Sequence, residues 1–210
     1  MTSTPAQTPD IPFDASPADR IAFAVRALGE EEVVDRAKAL LAGLNAGEEF
    51  LLWVGGKHAQ GILDGAPPLY WPEVWGARTF LHVWNDTAAP GIEAGLTNQA
   101  WRVREMCARV TATRSLPFAD ALRPLLEDDT ARVRAQAARA LAEVGEASDA
   151  ALLARLFRDP EIEVRRAAEQ SHKRLAARTG GSAPAVASAS AASSAPDAPL
   201  APASSATDAE

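Results

Sequence analysis

The stretch Gln99-Ala100-Trp101-Arg102-Val103-Arg104-Glu105-Met106-Cys107-Ala108-Arg109-Val110 decides the fold. It returns in variant form as Ala131-Arg132-Val133-Arg134-Ala135-Gln136-Ala137-Ala138-Arg139-Ala140-Leu141, and again as Ile162-Glu163-Val164-Arg165-Arg166-Ala167-Ala168-Glu169. The Val-Arg pairs stand at 103/104, 133/134 and 164/165, so the period is 30 to 31 residues. A period of that size is the mark of a helical repeat array.

Within each unit the apolar residues fall at helical spacing. Val103, Met106, Cys107 and Val110 share one face, as do Val133, Ala137, Ala140, Leu141 and Val144. A leucine-rich return segment follows each: Phe118, Leu122, Leu125 and Leu126 after the first, then Leu152, Leu153, Leu156 and Phe157 after the second. Pro124 interrupts the first return segment and should kink it, because proline has no backbone donor. Ser148 is placed to cap the second. A final helix carries Val164, Ala167, Ala168, Ser171 and Leu175.

Upstream, Trp71 to Trp84 reads as a divergent unit, with a short return helix from Pro90 to Leu96. Before it lie three helical segments. Ser16-Pro17-Ala18-Asp19 starts the first, which Gly29 closes. Glu30-Glu31-Glu32 starts the second, with the stripe Val33, Ala37, Leu40, Leu41 and Leu44. The third runs from Glu48 to about Leu63 and is interrupted by Gly55-Gly56, where the segment should bend or another group approach closely. The expected organisation is a flexible N-terminus over 1–15, a helical cap over 16–66, a repeat array over 67–178 and a disordered Ala/Ser/Pro-rich tail over 179–210. The fold class is all-α.

Residues 99–176 resemble HEAT-type repeats, in particular the short form of bacterial HEAT-like proteins and phycobilisome lyases. The acids Asp128-Asp129 and Asp159-Pro160, each followed shortly by Val133-Arg134 or Val164-Arg165, carry the resemblance, with Asn98 at the corresponding place upstream. It implies a short α-solenoid of antiparallel helix pairs. It also implies a polar ladder between adjacent units, assigned to Asp129, Arg134, Asp159 and Arg165. Terminal units of such arrays are atypical because one side meets water, which suits the divergent residues 17–63.

Charge and composition narrow the function. Residues 1–101 balance to −7, residues 102–178 to +3 and residues 179–210 to −3. This is a poor footprint for a nucleic-acid binder. Arginines 102, 104, 132, 134, 165 and 166 could line one rim and track phosphates, but Glu105, Asp128, Asp129 and Glu163 interleave with them. The single cysteine, Cys107, forms no intramolecular disulfide and fits a cytoplasmic protein. No signal peptide or membrane span is expected.

Chemistry is sparse. His58, His82 and His172 have no histidine or cysteine at ligand spacing and no His-Glu pair, so no metal and no cofactor are expected. The iron-holding hydroxylases among HEAT-like proteins use such pairs, and this chain departs from them. Gly55-Gly56-Lys57-His58 fails the phosphate-loop pattern at Leu51 and His58. Cys107 sits on an apolar face and reads as structural.

The unusual feature is aromatic. All five tryptophans and the only tyrosine, Tyr70, lie within residues 53–101. Either this cluster joins cap to array, or it is a recognition surface, since Trp, Tyr and Arg dominate binding hot spots. The candidate binding residues are Trp71, Trp75, Arg78, His82, Trp84, Trp101 and Arg102. The expected function is a non-catalytic scaffold or adaptor for a protein or peptide partner. The alternatives are an enzyme or lyase-type accessory, with Trp75, His82, Asp86 and Arg102 converging on a cleft, and nucleic-acid binding along the arginine rim.

Overall fold

The computed structural model describes residues 13–180. The expected tail except residues 179–180, and all of the expected flexible N-terminus except residues 13–15, lie outside the described residues. Eleven α-helices and four 3-10 turns make up the described residues, with no strand among them.

The N-terminal elements form as their termini dictate. Helix α1 (Pro17–Leu28) begins at Ser16, whose hydroxyl accepts from the Asp19 amide at 3.2 Å, and stops at Gly29 with φ 88°. Helix α2 (Glu30–Leu41) starts on three glutamates that complement its positive end. Its stripe Val33, Ala37, Leu40 and Leu41 is buried, but Leu44 falls beyond the helix and is 62% exposed. The third segment divides into α3 (Glu48–Gly55) and α4 (Lys57–Leu63). Both effects expected of Gly55-Gly56 occur. Gly56 turns the chain at φ 59°, and a Cβ on Gly55 would lie 2.5 Å from the Trp75 ring.

The stack of the array follows. Helices α5 (Trp71–Thr79), α7 (Trp101–Arg114), α9 (Ala131–Val144) and α11 (Ile162–Thr179) lie in one row, each packed on the next. The return row is made by α6 (Ala89–Gly95), α8 (Ala119–Leu122) with its 3-10 turn Arg123–Glu127, and α10 (Ala150–Arg155). Pro124 acts as expected: the α-helix gives way to a 3-10 turn at that point. The cap of the second return segment is not Ser148. The Asp149 carboxylate accepts from the Glu146 amide at 2.8 Å in a capping box, and it is held from the other side by Arg123.

Close approach comes from small residues. Val103, Cys107, Ala108, Ala135, Ala137, Ala138, Ala140, Ala167 and Ala168 are at most 1% exposed. The row also runs back through the expected boundary at residues 66/67. Helix α2 packs on α5, where a Cβ on Gly76 would lie 2.7 Å from the Ala37 carbonyl oxygen and the Leu41 amide nitrogen. Only glycine permits that crossing, so α2 is continuous with the array in packing although its sequence does not match the repeat.

A polar ladder stitches the row. Arg104 donates to both oxygens of Asp128 at 2.7 and 3.0 Å, and Arg134 to both of Asp159 at 2.8 and 3.0 Å. Each arginine also reaches back to carbonyls of its own turn: Arg104 to Asn98 and Gln99, Arg134 to Asp128 and Asp129, Arg165 to Asp159 and Pro160. The ladder acid of the second turn is therefore Asp128, and Asp129 contributes only its carbonyl. The reason is turn geometry. Asp128 accepts from the Thr130 amide as Asp159 does from Glu161, which fixes both carboxylates beneath the preceding arginine. Asn98 makes the same turn with the Ala100 amide.

Candidate binding surface

The expected binding residues separate into an interior pair and two surface groups. Trp75 is 2% exposed, its ring on Gly55 and its edge against His58. Arg78 is half-buried and donates to the Val54 carbonyl at the end of α3, beside Arg20, which donates to the Trp53 carbonyl. Burial, and the charge of Arg20, lower the Arg78 pKa to about 10. Cations suit a helix C-terminus. Trp75 and Arg78, with buried Trp53, thus lie at the joint between the N-terminal helices and the array.

One surface group lies where the α5–α6 loop faces α1. His82, Trp84 and Arg114 line a groove of about 870 Å³ with Val25 and Arg26. The Trp84 indole donates to Asp86 at 2.9 Å, and Arg114 donates to the Phe80 carbonyl at 2.8 Å. Burial, then the charges of Arg78, Arg114 and Arg109, lower the His82 pKa.

The other group stands at the N-terminal ends of α5 and α7. Tyr70, Trp71, Trp101 and Arg102 are all half-buried. The Arg102 guanidinium lies over three rings, 4.2 Å from the centroid of Trp101, 5.3 Å from Trp71 and 5.7 Å from Tyr70, and donates to the Tyr70 hydroxyl at 2.8 Å. Arg132 approaches the Trp101 ring at 5.7 Å and donates to Glu105. Among the described residues no carboxylate pairs with Arg102.

Two expected arrangements do not form. Trp75, His82, Asp86 and Arg102 do not converge: Trp75 is interior, His82 lines the α1 groove, and Arg102 lies among Tyr70, Trp71 and Trp101 at the opposite end of α5. The six rim arginines do not form a free stripe either, because Arg104, Arg134 and Arg165 are half-buried on the ladder and Arg132 is held by Glu105. No group of three or more His, Cys, Asp or Glu side chains among the described residues is placed to hold a metal ion. No helix among them is long and apolar enough to cross a membrane. The sequence places Tyr70 in the aromatic cluster but not among the candidate binding residues. Its position immediately before Trp71, the start of the first array helix, was the available signal.

The stacked helix pairs and the arginine–aspartate ladder define an α-solenoid of the helical-repeat class. Residues 89–173 match the family model of HEAT repeats, so this section of the chain is built of HEAT repeats. No curated protein and no solved structure matches the chain. HEAT repeats typically serve as protein-interaction scaffolds.

Proposed function

We propose that this chain is a non-catalytic scaffold that docks a protein or peptide partner at the patch of Tyr70, Trp71, Trp101 and Arg102. The observation that carries this reading is Arg102, spread over three aromatic rings and paired with no carboxylate among the described residues. A guanidinium held over an indole ring keeps the donors it does not give to Tyr70 available and loses little freedom on binding. Half-buried tryptophans give large contact area at low entropic cost. The partner chemistry that fits is an acidic residue next to an apolar one.

The test is native capture by the full chain, wild type against the double variant Trp101→Ala/Arg102→Ala, with quantitative identification of the proteins recovered. A partner recovered by the wild type and lost with the variant supports the reading. Equal recovery by both, or repeated recovery of no protein, contradicts it.

A further inference from the structure

We propose a second docking site, on the N-terminal helices, that takes a segment of another protein bearing a lysine or arginine between aliphatic residues. The site is a groove of about 440 Å³ between the α2–α3 turn and the α4–α5 loop, a volume that accommodates a few side chains. Three observations meet there.

The first is exposed leucine. Among the described residues four large hydrophobics are exposed, and two of them, Leu44 at 62% and Leu69 at 68%, line this one groove, with Leu51 and Leu63 deeper in it. The second is backbone conformation. Leu69 has φ 50°, in the left-handed region that L-residues avoid, and strain of this kind is found at ligand-gripping sites. The third is Glu73, on the groove wall in the first turn of α5. Its Oε2 is closed to solvent and has no hydrogen-bond partner. No cation pairs with this carboxylate among the described residues, so a charged donor entering the groove is favoured beside it.

The groove's charge selects the occupant. It is lined by Glu48 and Glu73 and by no basic residue. Lys38, on the neighbouring helix α2, is engaged with Asp35 at 2.6 Å and Thr87 at 3.2 Å. The chain's own terminal segments do not match: residues 1–12 and 181–210 contain no lysine or arginine. A cationic side chain of another protein, with leucine-like neighbours, satisfies both the carboxylate and the apolar walls.

The experiment is a titration of the full-length isotope-labelled chain, followed by its amide resonances. The probes are blocked hexapeptides with two leucines flanking one variable position: lysine, arginine, norleucine or glutamate. The lysine or arginine peptide should shift the amides of Gly43, Leu44, Leu69 and Glu73. Norleucine, equal in bulk and uncharged, should bind about tenfold more weakly. Glu73→Gln should remove that difference. Leu69→Gly, which suits the positive φ and so keeps the fold, should weaken every peptide. Equal affinity for the lysine, norleucine and glutamate peptides would overturn the proposal, as would no shift with any of them. Shifts confined to Trp101 and Arg102 would overturn it too, while leaving the patch reading intact. So would a concentration-dependent dimer that Leu69→Asp dissociates, since a second copy would then fill the groove.

Discussion

Arg134 and Asp159 bind two successive turns of the array with a single guanidinium. Nε and Nη2 of Arg134 donate to the two oxygens of Asp159 at 2.8 and 3.0 Å, while Nη1 donates to the Asp128 carbonyl at 2.7 Å. Both side chains are largely buried, at 13% and 5% exposure, so the pair is shielded from water and salt.

Removing one partner should therefore cost more than removing a surface ion pair. Asp159→Ala or Arg134→Met is expected to lower stability by about 2–4 kcal/mol, since each leaves the other charge desolvated. The double variant Arg134→Met/Asp159→Ala should lose less than the sum of the two single changes. Urea unfolding followed by circular dichroism measures this, and strict additivity would refute the coupling.

The ladder also sets the acid limit of the fold. Burial opposes ionisation of Asp128 and Asp159, but hydrogen bonds from Arg104 and Arg134, and from the Thr130 and Glu161 amides, outweigh it and hold both carboxyls below their usual values. A carboxyl whose folded pKa is depressed contributes stability that is complete above its unfolded pKa, near about 4, and is lost as pH falls through the folded value. Urea midpoints of the wild type should thus fall steeply below about pH 4. In Asp128→Asn/Asp159→Asn the midpoint should be lower at neutral pH and fall less steeply in acid.

Two glycines should respond oppositely to alanine. At Gly76 the new Cβ would meet the Ala37 carbonyl oxygen and the Leu41 amide nitrogen at 2.7 Å, forcing α2 and α5 apart. Gly76→Ala should cost about 1–3 kcal/mol. Gly61, within α4, has nothing within 4 Å of a built Cβ. There alanine should gain about 0.5–1 kcal/mol by helix propensity. Thermal melts of the two variants check both signs.

Cys107 should be inert in the folded protein. It is fully buried, its sulfur packed where a Cβ on Gly95 would come within 2.3 Å, and burial pushes its thiol pKa well up. A thiol reagent at pH 8 should modify it only at the rate of unfolding, and immediately in urea. Rapid labelling in buffer would show that the α6–α7 contact opens.

The repeat was legible because Val-Arg pairs and alanine stripes recur along the chain itself. The ladder was legible to within one residue. Two adjacent acids, Asp128 and Asp129, offered equal chemistry, and only the turn that the Asp128 carboxylate makes with the Thr130 amide separates them. The packing of α2 into the row was not legible, because it rests on one glycine, Gly76, meeting backbone atoms 35 to 39 residues earlier. The aromatic cluster was visible in composition, but its division was not. Trp71 and Trp75 lie one helical turn apart and read as one face, yet Gly55 draws Trp75 into the core while Arg102 keeps Trp71 at the surface. Leu44 reads as a continuation of the α2 stripe and lies instead on the groove that Glu73 walls, because α2 ends at Leu41.

The most direct test of the docking surface is site-specific photocrosslinking with a benzophenone side chain at position 101, compared with the same group at position 162. Ile162 is exposed at the other end of the row, and residues 101 and 162 occupy equivalent repeat positions. A partner docked on the Tyr70–Trp71–Trp101–Arg102 patch predicts a discrete adduct from position 101 that position 162 does not give. An adduct from position 162 alone, or from neither position while a partner is still captured, would contradict it.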